Sequence, residues 1–188
     1  IDQDEVGLSN INRQLCALHS TIGKSKTAVM RERVRDINPN ARLEIVDRFI
    51  DESNCAEFVG LCPDVIVDAI DSLAPKAALA AAALSAGVPI VSSMGAARKT
   101  DPLKVAVAEL FKTHSCPMAA RMRKELRARG FKKGQPCVFS TEIPEAASHV
   151  KSGAADAKKI IGSTPIVTGT FGLVLANLAL AQILNSKR

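Results

Sequence analysis

The stretch DVIVDAIDSLAPKAALAAAALSAGVPIVSSM, residues 64–94, holds a complete strand–helix–strand unit. Its first seven residues form an apolar run of strand length, and the β-branched Val and Ile suit a pleated surface. A run with no polar alternation predicts a strand buried on both faces, as in sheets whose crossover helices cover both sides. The Ala-rich segment after it predicts a helix, ended by Gly87. VPIVSSM, residues 88–94, predicts a second buried strand. Strands alternating with helices imply βαβ units and a mostly parallel sheet, so the chain reads as α/β.

Working outward, RLEIVDRF (42–49) alternates like a strand, and 51–60 reads as a short helix. Residues 9–37 read as two helical pieces divided by Gly23 and stopped by Asn38-Pro39-Asn40. In the second piece Ala28, Val29, Val34 and Ile37 fall near helical spacing, with Arg31, Arg33 and Arg35 facing elsewhere. Ile1-Asp2 looks like the carboxyl end of a strand. Downstream, LKVAVAEL (103–110) predicts a further strand, and PMAARMRKELRARG (117–130) a helix opened by Pro117 and closed by Gly130. Residues 141–163 read as a polar crossover, and an apolar helix is expected over 164–184.

The 188 residues are enough for one domain with a substantial core. Hydrophobic residues make up 47% and aromatic ones 3%, so Ala, Val, Ile and Leu must build that core. The net charge of +6 admits a polyanionic partner. The cysteines at 16, 55, 62, 116 and 137 form no C-x-x-C pair, which speaks against a zinc ribbon and for reduced thiols in a cytosol-like compartment. His19, His114 and His149 match no metal spacing.

In open parallel sheets ligands bind beyond the carboxyl ends of the strands, where both Asp2 and Asp71 fall. An acid at Asp2 can accept ribose hydroxyls or serve as a turn residue. Arg13 and Lys26, on neighbouring helical segments, can converge on phosphates or remain solvated. Asp71 can hold a phosphate-bridging Mg²⁺ or cap the helix that begins near Pro75.

The pattern IDxDxVxxSNxNRQ (1–14), followed by GKSK (23–26), INP (37–39) and DAIDS (68–72), resembles the ThiF-type adenylating superfamily, which includes ubiquitin-activating enzymes. DAIDSLAPKAAL, the TDP turn (100–102), CVFSTE (137–142) and TGTFG (168–172) make it most similar to the dehydratases that cyclise threonylcarbamoyladenosine in tRNA. The resemblance implies one Rossmann-like, doubly wound domain over 1–188, with helices on both faces of a mostly parallel sheet. Family members carry a first strand and a GxGGxGS-type loop that cradles phosphates before this point. The 188 residues contain no such loop. The expectation is therefore a sheet lacking its first strand, from an N-terminally truncated enzyme, a fragmentary gene model or a degenerate paralogue.

The implied reaction is adenylation of a carboxylate by ATP with Mg²⁺, resting on positioning and electrostatic stabilisation. By motif, Asp2 would bind ribose, and Asn10, Arg13 and Lys26 would contact phosphates with support from Gln14. Asp71 would hold the metal, Arg13 and Asp71 would be the catalytic residues, and Asp4 would stand behind them. No protein nucleophile is required, and Cys137 reads as a buried strand residue. Arg121, Arg123, Lys124, Arg127 and Arg129 crowd one helix, with Lys132 and Lys133 beyond, and can track tRNA phosphates or form a solvated face. No aromatic stacking set is visible there. The implied partners are tRNA, a second copy in a homodimer and a sulfur-relay protein.

The expected location is cytoplasmic. Residues 160–186 carry no charge and are long enough to span a bilayer, which would allow membrane association through 164–184. Pro165, Gly169, Gly172, Asn177 and Gln182 interrupt the run and favour a buried helix. Two other readings stand beside the dehydratase: an adenylyltransferase for a ubiquitin-like or sulfur-carrier protein, and a non-catalytic binding module. The adenylyltransferases commonly carry C-x-x-C pairs, which are missing here.

Overall fold

The strand–helix–strand unit is present, with a shorter first strand than its apolar run suggests. The computed structural model describes residues 1–143 and 162–186. Most of the expected 141–163 crossover, and His149, lie outside the described residues. Strand β1 (Ile66–Asp68) leads into helix α3 (Leu73–Ala86), which returns to β2 (Ile90–Ser93). Two shorter helices, α1 (Lys26–Ile37) and α2 (Cys55–Val59), precede this unit. It is followed by β3 (Val105–Glu109), α4 (Pro117–Ala128), β4 (Pro136–Ser140) and α5 (Pro165–Ser186).

The sheet order is β1-β2-β4-β3, with β1–β2 and β2–β4 parallel and β3–β4 antiparallel. This is the mixed, mostly parallel sheet of an α/β fold. In β1, Val67 is 51% exposed, so the strand is not buried on both faces. It lies at the end of the sheet order, and one flank has no strand neighbour among the described residues.

Helices cover both faces. Val91 and Val138 pack with Val167, Phe171, Leu175 and Ala179 of α5 in one apolar cluster. Side chains alternate across a strand, so Asp68, Ser92 and Cys137, which are register partners, share the opposite face. There Asp68 meets Lys76 of α3. Alanine at positions 77, 78, 80, 81 and 83 leaves α3 buried, and Gly87 ends it at φ 69°. α5 buries one stripe and exposes Ile166, Leu173, Leu180 and Leu184. By length and composition α5 is apolar enough to cross a membrane, while its inner stripe packs on the sheet.

The chain divides into two compact units, Ile1–Ile50 and Asp51–Arg188. In the first, the 42–49 segment forms no strand. Alternation supplies a face but no ladder partner, and the described backbone link is Asp2 N donating to Val46 O at 3.2 Å. Ile1-Asp2 likewise lies outside any strand, while Glu5 makes an isolated bridge to Ser25. The first helical piece is two 3-10 turns, Leu8–Asn10 and His19–Thr21, and Gly23 at φ 79° separates them from α1. No residue of α1 is buried.

In the second unit a short turn gathers distant segments. Arg98 N donates to Gly162 O, and the Lys99 ammonium donates to Glu142 O and, at 3.5 Å, to Ser115 O. The Glu142 carboxylate accepts from Thr100 N, Thr100 Oγ1 and Asp101 N. The N–H of Asp101, then those of Thr100, hold its pKa below the ordinary value. Burial of Lys99 lowers its pKa. The TDP turn and the end of CVFSTE are thus one hydrogen-bonded structure.

Candidate functional site

A hollow of about 530 Å³ in the first unit is lined in part by Asp2, Gln14, Cys16, Lys26, Thr27 and Arg31. Local rules build its polar wall. Ser25 caps α1, its Oγ accepting from Ala28 N at 3.4 Å. Ser25 and Thr27 also donate to Asp47, and these hydroxyls, Thr27 foremost, hold that carboxyl below the usual carboxylate range. The cap places Lys26 at the first position of the helix. Its Nζ lies 2.7 Å from Asp4 Oδ2 and 4.0 Å from Asp2 Oδ2. Asp2 Oδ1 accepts from Asp4 N at 2.9 Å, which fixes the two acids side by side.

Of the residues singled out in the first fifty, Asp2, Gln14 and Lys26 come together on this wall. Asn10 and Arg13, on the preceding turn, are not among the residues that line it. Asn10 Oδ1 accepts from Gly7 N at 3.0 Å, so its amide nitrogen is the group left to meet an anion. Arg13 Nη1 donates to Ser9 O at 2.9 Å and to Asn12 Oδ1 at 3.0 Å. Arg31 was expected to face elsewhere and instead lines the hollow. With Thr27, Met30 and Val34 it keeps the i, i+3, i+4, i+7 spacing of one helical face.

Asp71 belongs to the second unit, where it follows β1 and precedes α3. The cap position of α3 belongs to Ser72, so Asp71 is not the helix cap. Its carboxylate is exposed, with Ser72 Oγ donating to Oδ1 at 3.3 Å. No group of three or more His, Cys, Asp or Glu side chains suited to a metal exists among the described residues. One exposed carboxylate fits Mg²⁺, an ion that keeps several waters and is commonly held by one or two carboxylates plus substrate phosphates.

The stretch DAIDSLAPKAAL also holds a buried ion pair to which the sequence reading assigned no role. Asp68 and Lys76, both fully buried, face each other at 2.9 Å. Lys76 Nζ also donates to Ile70 O at 3.0 Å, and Asp68 Oδ1 accepts from Ile70 N. Asp68 Oδ2 makes the ion contact outside hydrogen-bonding geometry and accepts no hydrogen bond among the described residues. The pair braces the 68–71 bend that presents Asp71. Cys137 is a buried strand residue, as expected, and burial pushes its thiol up to about 12. A thiol held protonated is a poor nucleophile.

The basic helix α4 divides its charges between faces. Arg121 and Lys124 are exposed and form no ion pair or hydrogen bond among the described residues. Arg123 instead donates to Thr113 O at 3.0 Å and to Thr113 Oγ1. Arg127 lies over the Phe111 ring at 5.0 Å, and Arg129 pairs with Glu52 at 2.7 Å. Met122 and Leu126 are buried and Met118 half-buried, the expected apolar side.

Comparison with known proteins places these features in a family. The ThiF family model matches residues 1–188. The tRNA threonylcarbamoyladenosine dehydratase of Escherichia coli is 37% identical, over 98% of this chain and 75% of its own. That of Bacillus subtilis is 40% identical over 77% of this chain and 57% of its own. A crystal structure of the E. coli enzyme with AMP covers 99% of this chain and 75% of its own, at 35% identity and TM-score 0.88. One with ATP covers 99% of this chain and 74% of its own, at 37% identity and TM-score 0.86.

Proposed function

The chain belongs to the ThiF family, and on that premise we propose that it dehydrates threonylcarbamoyladenosine in tRNA, using ATP to activate the threonyl carboxylate. A carboxylate oxygen attacks the α-phosphorus and pyrophosphate leaves, giving an acyl adenylate. The ureido group of the same nucleoside then attacks the acyl carbon and AMP departs with that carboxylate oxygen. The nucleoside loses the elements of water. The observation that carries the reading is the likeness, over 99% of this chain, to a dehydratase solved with AMP and with ATP.

The hollow suits a nucleotide. Asp2 accepts from ribose hydroxyls, and Lys26, steadied by Asp4, supplies positive charge to phosphate. Asn10 and Arg13 donate to phosphate oxygens, and Gln14 supports them from the same wall. Asp71, in the second unit, would hold Mg²⁺, which would supply positive charge. These assignments are supported by the shared lining of Asp2, Gln14 and Lys26 and by the exposed carboxylate of Asp71. tRNA phosphates lie along Arg121 and Lys124. The protein works in the cytoplasm as a homodimer.

The test is incubation with ATP, Mg²⁺ and threonylcarbamoyladenosine-bearing tRNA whose threonyl carboxylate carries oxygen-18. Mass spectrometry should find the dehydrated nucleoside and the label in AMP. ATP turnover that leaves the nucleoside intact would defeat the proposal.

A further inference from the structure

We propose that a hollow at the carboxyl end of α4 takes one unpaired nucleotide of an RNA loop. The base lies against Phe111 and Phe131, and the phosphate meets Arg127 and Lys132. The inference rests on the tRNA reading above and adds the place where the RNA is gripped. The hollow measures about 550 Å³ and is lined by Phe111, Arg127, Gly130, Phe131 and Lys132. The chain has six Phe and no Tyr or Trp, so a third of its aromatic rings line this one place.

Local chemistry assembles it. Gly130, at φ 87°, ends α4 in the left-handed conformation that a side chain resists. Gly130 N donates to Arg127 O at 2.9 Å, and Phe131 N to Leu126 O at 3.0 Å, the paired closure of a Schellman motif. The chain therefore doubles back, bringing Phe131 beside Arg127. The opposite wall is fixed by Glu109, whose Oε1 accepts from Phe111 N at 3.0 Å and from Gly134 N at 2.6 Å. One carboxylate thus ties the Phe111 wall to Gly134, three residues beyond Phe131, and its charge is met by two backbone N–H groups.

The lining selects the ligand class. Phe111 and Phe131 are only half-buried, and the Arg127 guanidinium lies 5.0 Å from the Phe111 centroid. Aromatic rings and a guanidinium plane are the surfaces on which splayed bases stack in single-stranded RNA. A paired base in a duplex cannot offer its face to them. Arg127, Lys132, Lys133 and Lys112 are all exposed, and the lining includes no acidic residue. Charge complementarity therefore points to a phosphate-bearing nucleotide rather than an apolar peptide. Arg121 and Lys124 extend the positive surface along α4.

The experiment compares Phe111→Leu, Phe131→Leu and Lys132→Gln with the parent protein. The probes are an RNA hairpin with a single-stranded anticodon-type loop and a blunt duplex of the same stem, each titrated across a salt series. Each Phe variant should weaken the hairpin by roughly 5- to 100-fold, the range of a lost base stack. Duplex binding, ATP binding and the salt slope should stay at parental values. Lys132→Gln, an exposed change that leaves the core alone, should flatten the hairpin's salt slope by roughly 0.7–0.9. Thermal melts at the parental midpoint should accompany all three variants. Phe variants that bind the hairpin like the parent, or lose hairpin and duplex equally, would overturn the pocket alone. A parent that binds neither RNA would overturn the tRNA reading and the pocket together.

Discussion

At the scale of single residues, the 68–76 region joins an exposed acid to a buried ion pair. Asp71→Asn should lower ATP–pyrophosphate exchange on tRNA substrate by roughly 100- to 1000-fold, the usual cost of one electrostatic contact. Its melting curve should stay unchanged, because the side chain is exposed; a near-parental exchange rate would remove Asp71 from the site. Lys76→Met acts in the opposite sense. It strands the buried Asp68 charge, and urea unfolding should show a loss of about 3–5 kcal/mol. Glu142 adds a pH signature. Its folded pKa lies below the ordinary 4.5 because Asp101 and Thr100 donate to the ionised form. Its stabilisation is thus present above pH 4.5 and lost as pH falls through the lower folded value. Glu142→Gln should flatten the acid limb of a stability profile, and an unchanged limb would rule this out. Motif likeness brought Asp2, Gln14 and Lys26 into view, and they line one wall. It included Lys76 within DAIDSLAPKAAL but gave it no role, since a Lys in an Ala-rich helix looks like surface until the fold places Asp68 opposite.

At the scale of elements, apolar patterning served where the segment meets a partner surface and failed where it meets none. The 64–94 unit, α4 and α5 all appear. The alternation of 42–49 has no ladder to join in the described residues, and a strand is a property of two segments. The basic helix also read too evenly. Sequence spacing counted five cations, whereas hydrogen bonding and an ion pair commit Arg123 and Arg129 to the fold's own groups, and Arg127 turns to the Phe111 hollow. Arg121→Gln with Lys124→Gln should therefore weaken tRNA binding and reduce the salt slope by roughly 0.7–0.9 per lost phosphate contact. Arg123→Gln should chiefly lower thermal stability, by freeing Thr113. Affinities measured from low to high salt decide it, and parallel lines for the double variant would leave α4 a solvated face. The Phe111–Phe131 hollow was illegible for a related reason. Twenty positions separate its rings, and a glycine turn and one carboxylate bring them together.

At the scale of the whole molecule, the likeness to the dehydratases covers nearly all of this chain and about three-quarters of the E. coli relative. The excess of Lys and Arg over Asp and Glu, 25 against 19, is concentrated in residues 112–133, where eight cations meet one acid, and favours a polyanion. tRNA binding should consequently fall far more steeply with salt than ATP binding, and equal slopes would remove the broad charge contribution. The sheet register carries a kinetic consequence as well. β1 meets β2 through one local helix, whereas Ser92 on β2 pairs with Cys137 on β4, across the intervening β3 and α4. Chain-closure entropy must be overcome before such distant pairing is rewarded, which slows acquisition of the native state. The 66–93 segment is the natural nucleus. Ala80→Gly in α3 should then retard refolding in stopped-flow traces, while Phe171→Ala, on the C-terminal helix α5 outside that segment, should mainly hasten unfolding.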